Sequence, residues 1–407
     1  MDFGALNDYF KLVLSKKLSG TDIDRMVSHG HELGGFAKLR PFLGTERREL
    51  PARYLYLSDD DYSIASATTT WYDSRANQKN RAPEYRLYYP NVEPVTMAKE
   101  GDLTLACLTS DEQILFIFVR SHCKREAYIA WLFGLKDEST TFTPAQDMAR
   151  RINAFSINIL EILGLEVKLP KVADAHLAKM LEKWPNKFPS GKSFASFARH
   201  ITGIDPSEDA DLALTEYYNT QTLLYMTYER YERERSLGPL VIDIHEPNYD
   251  KILQVAMSLF QRRRSAAGHA LEYHLEALFK ARKIAFRAQG STEGKEKPDF
   301  IFPSIEKYHD PAFPSEGLTL LGAKTTAKDR WRQVLQEGQR IPVKHLITLE
   351  EGITVEQTNA MKSRDLQLIV PKPLHTSYTE LQRDWLWTLN DFCEHVLKLQ
   401  SKYYSIP

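Results

Sequence analysis

Two short stretches carry residue types suited to phosphate chemistry. Lys297-Pro-Asp-Phe-Ile-Phe sets Asp299 directly before an apolar run, and Leu320-Leu-Gly-Ala-Lys-Thr sets Lys324 directly after another. Neighbouring strands would bring the two side chains to one place. The segment behind Lys324, with Trp331, Val334 and Leu335 at helical spacing, carries Glu337 about three to four turns further on. Phosphodiester hydrolysis needs hard divalent ions, which take oxygen ligands, and a cation that orients water and offsets charge on phosphorus. Asp299 and Glu337 offer the oxygens and Lys324 the cation. Lys328, Asp329, Arg330 and Arg332 are types that read base edges and phosphates. The same spacing also describes two strand ends with solvated charges beside an ordinary amphipathic helix.

Further matches favour the first reading. Phe188-Pro-Ser-Gly, Arg262-Arg-Arg-Ser-Ala-Ala-Gly-His-Ala-Leu-Glu, Lys297-Pro-Asp-Phe, Tyr308-His-Asp and Lys324-Thr-Thr-Ala-Lys-Asp-Arg-Trp-Arg-Gln follow one another in order. On this series residues 188–407 resemble the catalytic domain of the EcoRII family of restriction endonucleases, within the PD-(D/E)xK nuclease superfamily. The resemblance implies a type II site-specific DNA endonuclease. Asp299 and Glu337 would hold Mg²⁺, with the third acid on the helix after the lysine, and Lys324 would position the attacking water. An early helix commonly donates an acid in this fold, which makes Glu272 a fourth catalytic candidate, against the reading of a solvent-facing glutamate.

Lys328, Asp329 and Arg330 fall in the family's recognition segment. Cationic donors to guanine O6 and N7 beside a carboxylate that accepts from cytosine N4 suit adjacent G·C pairs. The resemblance implies a CC…GG site such as CCWGG in double-stranded DNA. Tyr308 is a family-like position near the active centre whose role the sequence leaves open. Relatives that read a central base pair flip its bases out, and Tyr217, Tyr218 and Arg230 are candidates to stack on them. Their helix ends in a Glu/Arg run that otherwise reads as a solvated face. A two-fold symmetric site calls for a homodimer, and a conventional restriction system for a cognate cytosine methyltransferase.

The elements that must position these residues follow from apolar runs and turn signals. Helices are expected at 193–202, 208–235, within 250–283 and at 380–400, and strands at 285–288, 300–302, 319–323, 345–349 and 367–370. Together they make an α/β sandwich around a mixed sheet. Leu271, Leu275 and Leu278 form an inward stripe that leaves Glu272 free to reach the centre. In the closing helix the stripe is Trp385, Leu386, Leu389, Phe392, Val396 and Leu399.

Residues 1–165 read as a separate, mostly β unit. The first ten residues look like the start of an amphipathic helix. Short β-branched or aromatic runs at 55–58, 64–71, 85–89, 103–109 and 113–119, parted by Asp, Gly, Pro and Asn, suggest a small barrel or curled sheet, closed by helices at 127–135 and 149–163. Between two strands, Arg75, Lys79, Arg81 and Arg86 interleave with Trp71, Tyr72, Asn77, Asn80 and Tyr85. This is what a DNA-facing loop needs, though a charged turn rim looks similar. His29 and His31 lie in a Gly-rich stretch, and no further His or Cys cluster supports a metal there. Lys17-Leu-Ser-Gly-Thr-Asp, Gly30-His-Glu-Leu-Gly and Tyr72-Asp-Ser-Arg resemble the family's amino-terminal effector-binding domain, a pseudobarrel. That resemblance implies that His31 and the 75–86 cations grip a second DNA copy.

Residues 166–187, with two prolines and a short helical stretch, read as the linker to the catalytic unit at 188–407.

The net charge is −1 over 407 residues, so any positive DNA-binding surface must be local. Three distant cysteines give neither a zinc ribbon nor a disulfide framework and suit a reducing, prokaryotic cytoplasm. No apolar segment of membrane-spanning length occurs in the sequence, so no membrane partner is expected. The absence of a Gly-x-Gly-x-x-Gly, a P-loop and a nucleophile elbow argues against an ordinary metabolic α/β enzyme. Two alternatives stand: a modification-dependent endonuclease whose amino-terminal unit reads modified DNA, and a DNA-binding regulator with a relic nuclease domain. Retention of all three chemical types at 299, 324 and 337 argues against the relic.

Overall fold

The computed structural model describes residues 3–23, 32–33, 36–59, 61–78, 80–135, 141–185, 188–241, 269–293, 296–327 and 330–404. Two sheets organise it. The first holds β1 (Phe10–Lys17), β2 (Glu32–Leu33), β3 (Arg48–Leu57), β4 (Tyr62–Asp73), β5 (Tyr85–Tyr88), β6 (Leu103–Thr109), β7 (Ile114–Val119) and β8 (Thr143–Pro144), ordered β2-β5-β4-β3-β7-β6-β1-β8. Its pairs are antiparallel apart from β3 with β7, which makes it a mixed sheet. Every residue of β6 and β7 is buried, which is why they read as unbroken apolar runs. One face packs Tyr54, Trp71, Leu87, Ala106 and Phe116. The other packs Leu55, Leu57, Leu105 and Ile117 beneath the helices Lys124–Leu132 and Ala154–Ile162.

Two expectations change here. The opening residues form only a 3-10 turn at Leu6–Asp8 before β1, not an amphipathic helix. Phe3, Leu6 and Phe10 have helical spacing, but β1 gains a ladder from Lys17 to Phe10 along β6. Trp71 and Tyr85 are core rather than base-stacking residues: their rings stack 4.9 Å apart, and the Trp71 indole N–H donates to the Gly44 carbonyl at 3.1 Å.

The second sheet runs β13-β12-β11-β10-β9, from β9 (Arg287–Ala288), β10 (Phe300–Phe302), β11 (Thr319–Lys324), β12 (Lys344–Thr348) and β13 (Leu366–Ile369). The antiparallel arm β9-β10-β11 meets the parallel arm β11-β12-β13 at β11. Phe279, on the helix Ala270–Ala281, sets its ring edge against Phe300 and Phe302, with centroids 5.4 and 5.3 Å away. The closing helix starts at Leu389 instead of 380. Trp387 is drawn into backbone bonds with Leu368 and Val370 beside β13, and a Thr388–Asp391 capping box then begins the helix. Trp385 and Leu386 therefore precede the helix that carries Leu389, Phe392 and Val396 into the core.

The segment 166–187 contains the helix Val172–Lys183, whose Met180 packs with Leu224 and Tyr225 of the helix Ala210–Val241. The two sheet systems touch where Gly352, at φ +72°, lies against Tyr128: a Cβ on this glycine would stand 3.1 Å from the Tyr128 backbone. Among the described residues no helix is long and apolar enough to cross a membrane.

Candidate active site

Antiparallel pairing of β10 with β11 places Phe300 opposite Leu321, so Asp299 enters the sheet beside the end of β11. Asp299 Oδ2 accepts hydrogen bonds from the Ala323 backbone N–H and from Lys324 Nζ, both at 2.7 Å. Asp299 is buried and Lys324 mostly so. Gly322 lets the helix Trp331–Gln336 lie close on β11, since a Cβ there would sit 2.6 Å from Val334 Cγ2.

Glu272, on the first turn of the helix Ala270–Ala281, reaches the same place from the other side, as the inward stripe of Leu271, Leu275 and Leu278 anticipates. Gln289 joins the two acids. Its Nε2 donates to Glu272 Oε2 at 3.2 Å and to Asp299 Oδ1 at 3.3 Å. Burial and then the charge of Asp299 raise the Glu272 carboxyl above its ordinary value.

Glu337 joins from beyond the helix after Lys324, and here the expectation is corrected. The helix ends at Gln336, and Glu337 is extended at φ −80° and ψ 145°. Gly338 follows at φ +61°, a turn that stops the helix before it reaches the acid. Burial first, then the charge of Asp299, pushes the Glu337 carboxyl up to about 7, while Lys324 and Lys344 oppose the rise. Its Oε2 is buried without a hydrogen-bond partner, as is Glu296 Oε2. Lys344 is buried at the start of β12, where Glu293, Glu337 and Glu296 offset part of the lowering that burial imposes on its ammonium.

Tyr308 fastens this side of the site. Its hydroxyl donates to Glu293 and accepts from the Arg340 backbone N–H at 3.4 Å, while the Arg340 guanidinium donates to the carbonyls of Tyr308, Asp310 and Phe313. The turn that leaves Glu337 is thereby tied to the helix Ile305–His309 and the turn after it.

The donor set is carboxylate oxygen throughout, the charge of Asp299 raises the proton affinity of Glu272 and Glu337, and one buried oxygen has no partner. These features fit a hard divalent cation held by Asp299 and Glu337, with Glu272 beside them. Among the described residues no three acids or imidazoles already converge on one point, and Lys324 takes the inner oxygen of Asp299 instead.

Arg330 is exposed and caps the helix Trp331–Gln336, while Lys328 and Asp329 fall outside the described residues, as do His31, Lys79 and the run 262–268. Asn77 and Arg81 are exposed; Arg75 and Arg86 share Glu84, at 2.7 and 3.1 Å. Tyr217 and Tyr218 are core side chains and not free to stack on flipped bases: Tyr217 is buried with its hydroxyl on the Ile204 carbonyl at 2.7 Å, and Tyr218 packs on the main core. Arg230 pairs with Asp174 at 2.9 Å. The sequence reading missed Gln289, Glu293, Glu296, Arg340 and Lys344, which carry no motif of their own.

Residues 228–393 match the family model described as EcoRII C terminal. The chain is 32% identical over 416 residues to the type II restriction enzyme EcoRII of Escherichia coli, covering 99% of this chain and 97% of the relative. It is 24% identical over 200 residues to the type II restriction enzyme SsoII of Shigella sonnei, covering 46% and 64%. Among solved structures it is similar to metal-depleted Ecl18kI in complex with uncleaved DNA, at 19% identity, TM-score 0.43 and coverage of 58% of this chain and 87% of that one.

Proposed function

Because the chain belongs to the EcoRII family of type II restriction endonucleases, we propose that it cleaves double-stranded DNA at a CC…GG site such as CCWGG, using Mg²⁺ and acting as a homodimer. The observation that carries this reading is the Asp299–Lys324 contact at 2.7 Å across two neighbouring strands, with Glu272 and Glu337 on either side. Asp299 and Glu337 hold the cation, assisted by Glu272. When bound, the ion offsets charge on the phosphate and lowers the pKa of a ligated water. Lys324 Nζ positions the attacking water in line with the leaving oxygen, and Tyr308 with Arg340 keeps the Glu337 loop in place. Lys328, Asp329 and Arg330, which follow Lys324 in the sequence, read adjacent G·C pairs.

In the same reading, residues 1–165 form an effector domain that takes a second DNA copy through His31, Arg75, Asn77, Lys79, Arg81 and Arg86, residues 166–187 link it, and residues 188–407 cut. Asn77 and Arg81, exposed near the turn after β4, support this role. The enzyme works in a prokaryotic cytoplasm beside a cognate cytosine methyltransferase.

The test is digestion of matched unmethylated and cytosine-methylated plasmids, with Mg²⁺ or EDTA, and sequencing of the cut ends. Mg²⁺-dependent cutting of unmethylated DNA at a fixed CC…GG site is expected. Cutting of methylated plasmid alone would make the amino-terminal unit a modification sensor, and no metal-dependent cutting of either would leave a DNA-binding protein.

A further inference from the structure

We infer that Gln289 is a positioning residue of the cleavage centre, whose side-chain amide sets the spacing of Glu272 and Asp299 for a divalent cation. The inference rests on the reading of these acids as the ion's site. Carboxylates only accept, so the NH₂ group of the amide must face them, and its two hydrogens let one nitrogen serve both. The backbone adds a third tie, from the Gln289 N–H to the Asp299 carbonyl at 3.1 Å. Gln289 therefore fixes both the main chain and the side chain of Asp299.

The chemistry of the donor suits this task. Two carboxylates brought together repel one another, and here one amide nitrogen sits between an oxygen of each. A lysine or arginine between them would cancel the charge that draws in a divalent ion. A neutral amide holds both oxygens while leaving their full negative charge to the metal. The backbone points the same way. Gln289 sits at φ +52°, a conformation that glycine and asparagine adopt more readily than a long side chain. Either would ease the turn, but neither would reach both acids, so the position uses the glutamine's reach at the expense of backbone comfort.

Gln289→Asn and Gln289→Gly separate reach from backbone. Ca²⁺ is titrated calorimetrically into the full-length protein bound to the duplex it cleaves, with Asp299→Asn alongside, and the metal-free proteins are melted. Both Gln289 variants should bind Ca²⁺ about tenfold more weakly and need about tenfold more Mg²⁺ for half-maximal cleavage. Their metal-free melting temperatures should be unchanged or higher. If Asp299→Asn abolishes Ca²⁺ binding while both variants bind like the parent, the Gln289 inference is overturned and the metal reading survives. If Asp299→Asn binds Ca²⁺ like the parent, the metal reading itself fails. Weaker ion binding with an equally large fall in melting temperature would reduce Gln289 to a fold-maintaining role and overturn its positioning one.

Discussion

Glu351 is a buried acid that the cleavage chemistry does not use, and it lies where the strand-rich amino half meets the catalytic sheet. Only 6% of it is exposed. It accepts one hydrogen bond, from Asn153 Nδ2 at 3.0 Å, and its Oε2 has no partner. Burial pushes its carboxyl from the ordinary 4.5 up to about 7, against the opposing pull of Asn153, Tyr128 and Arg150. An acid whose folded pKa lies above its unfolded one contributes nothing at pH below 4.5, where both states hold the proton. As pH rises, the unfolded chain gives up its proton first, so folding loses stability between about 4.5 and 7, and the full loss persists above. At about 1.4 kcal/mol per pH unit, that interval sets a ceiling of about 3 kcal/mol.

Glu351→Gln removes the ionisation, and its carbonyl can still accept from Asn153. The variant should therefore be more stable than the parent by up to about 3 kcal/mol at pH 8 and by less than about 1 kcal/mol at pH 5. Urea unfolding at the two pH values measures the difference. Equal stabilisation at both, or destabilisation at pH 8, would refute the reasoning, because neither outcome can come from a buried carboxyl with a raised pKa.

Three further outcomes follow from the proposed function. Lys324→Ala should cut at least about a hundredfold more slowly while its DNA affinity, read by gel shift in Ca²⁺, stays near the parent's, since in the proposed mechanism only the water-positioning cation is lost. Arg330→Ala should lose about 1–3 kcal/mol of discrimination at one G·C pair, seen as cleavage of substrates carrying a single changed base pair. Gly322→Ala forces a methyl to within 2.6 Å of Val334 Cγ2; it should cost about 1–3 kcal/mol in urea unfolding and slow cleavage by displacing the helix that leads to Glu337.

What could be read from the sequence depended on whether local pattern or tertiary contact decided the outcome. The strands around Phe300–Phe302, Thr319–Lys324 and Lys344–Thr348 are buried, the first an apolar run between Asp299 and Pro303, and their limits were foreseen within a residue or so. Asp299 and Lys324 were legible because strand ends fix where their side chains emerge. Trp71 was misjudged because an aromatic residue beside a cationic loop reads alike whether it faces solvent or the Tyr85 ring. Glu337 was assigned to the helix because spacing continues through it, whereas Gly338 ends the helix one residue earlier. Gln289 and Glu351 gave no signal, since each depends on residues ten or more positions away, Glu272 and Asn153 among them.

Taken together, the charges of the centre explain how one lysine can serve two states. Asp299, Glu272, Glu337, Glu296 and Glu293 feel one another or the two lysines, Lys324 and Lys344. Even with Glu337 only partly ionised near neutral pH, the acids outnumber the two lysines, and the negative surplus repels a DNA phosphate while it attracts a divalent ion. Lys324, on Asp299 Oδ2 in this structure, reduces that surplus in the protein alone. An ion on Asp299 would compete for that oxygen, and an arriving phosphate would give the ammonium a new anion to face. Ion and phosphate each remove the charge that opposes the other, so by reciprocity their binding must be mutually favourable. A centre with fewer acids would accept the phosphate without the metal, and one lacking Lys324 would leave Asp299 uncompensated until both arrived.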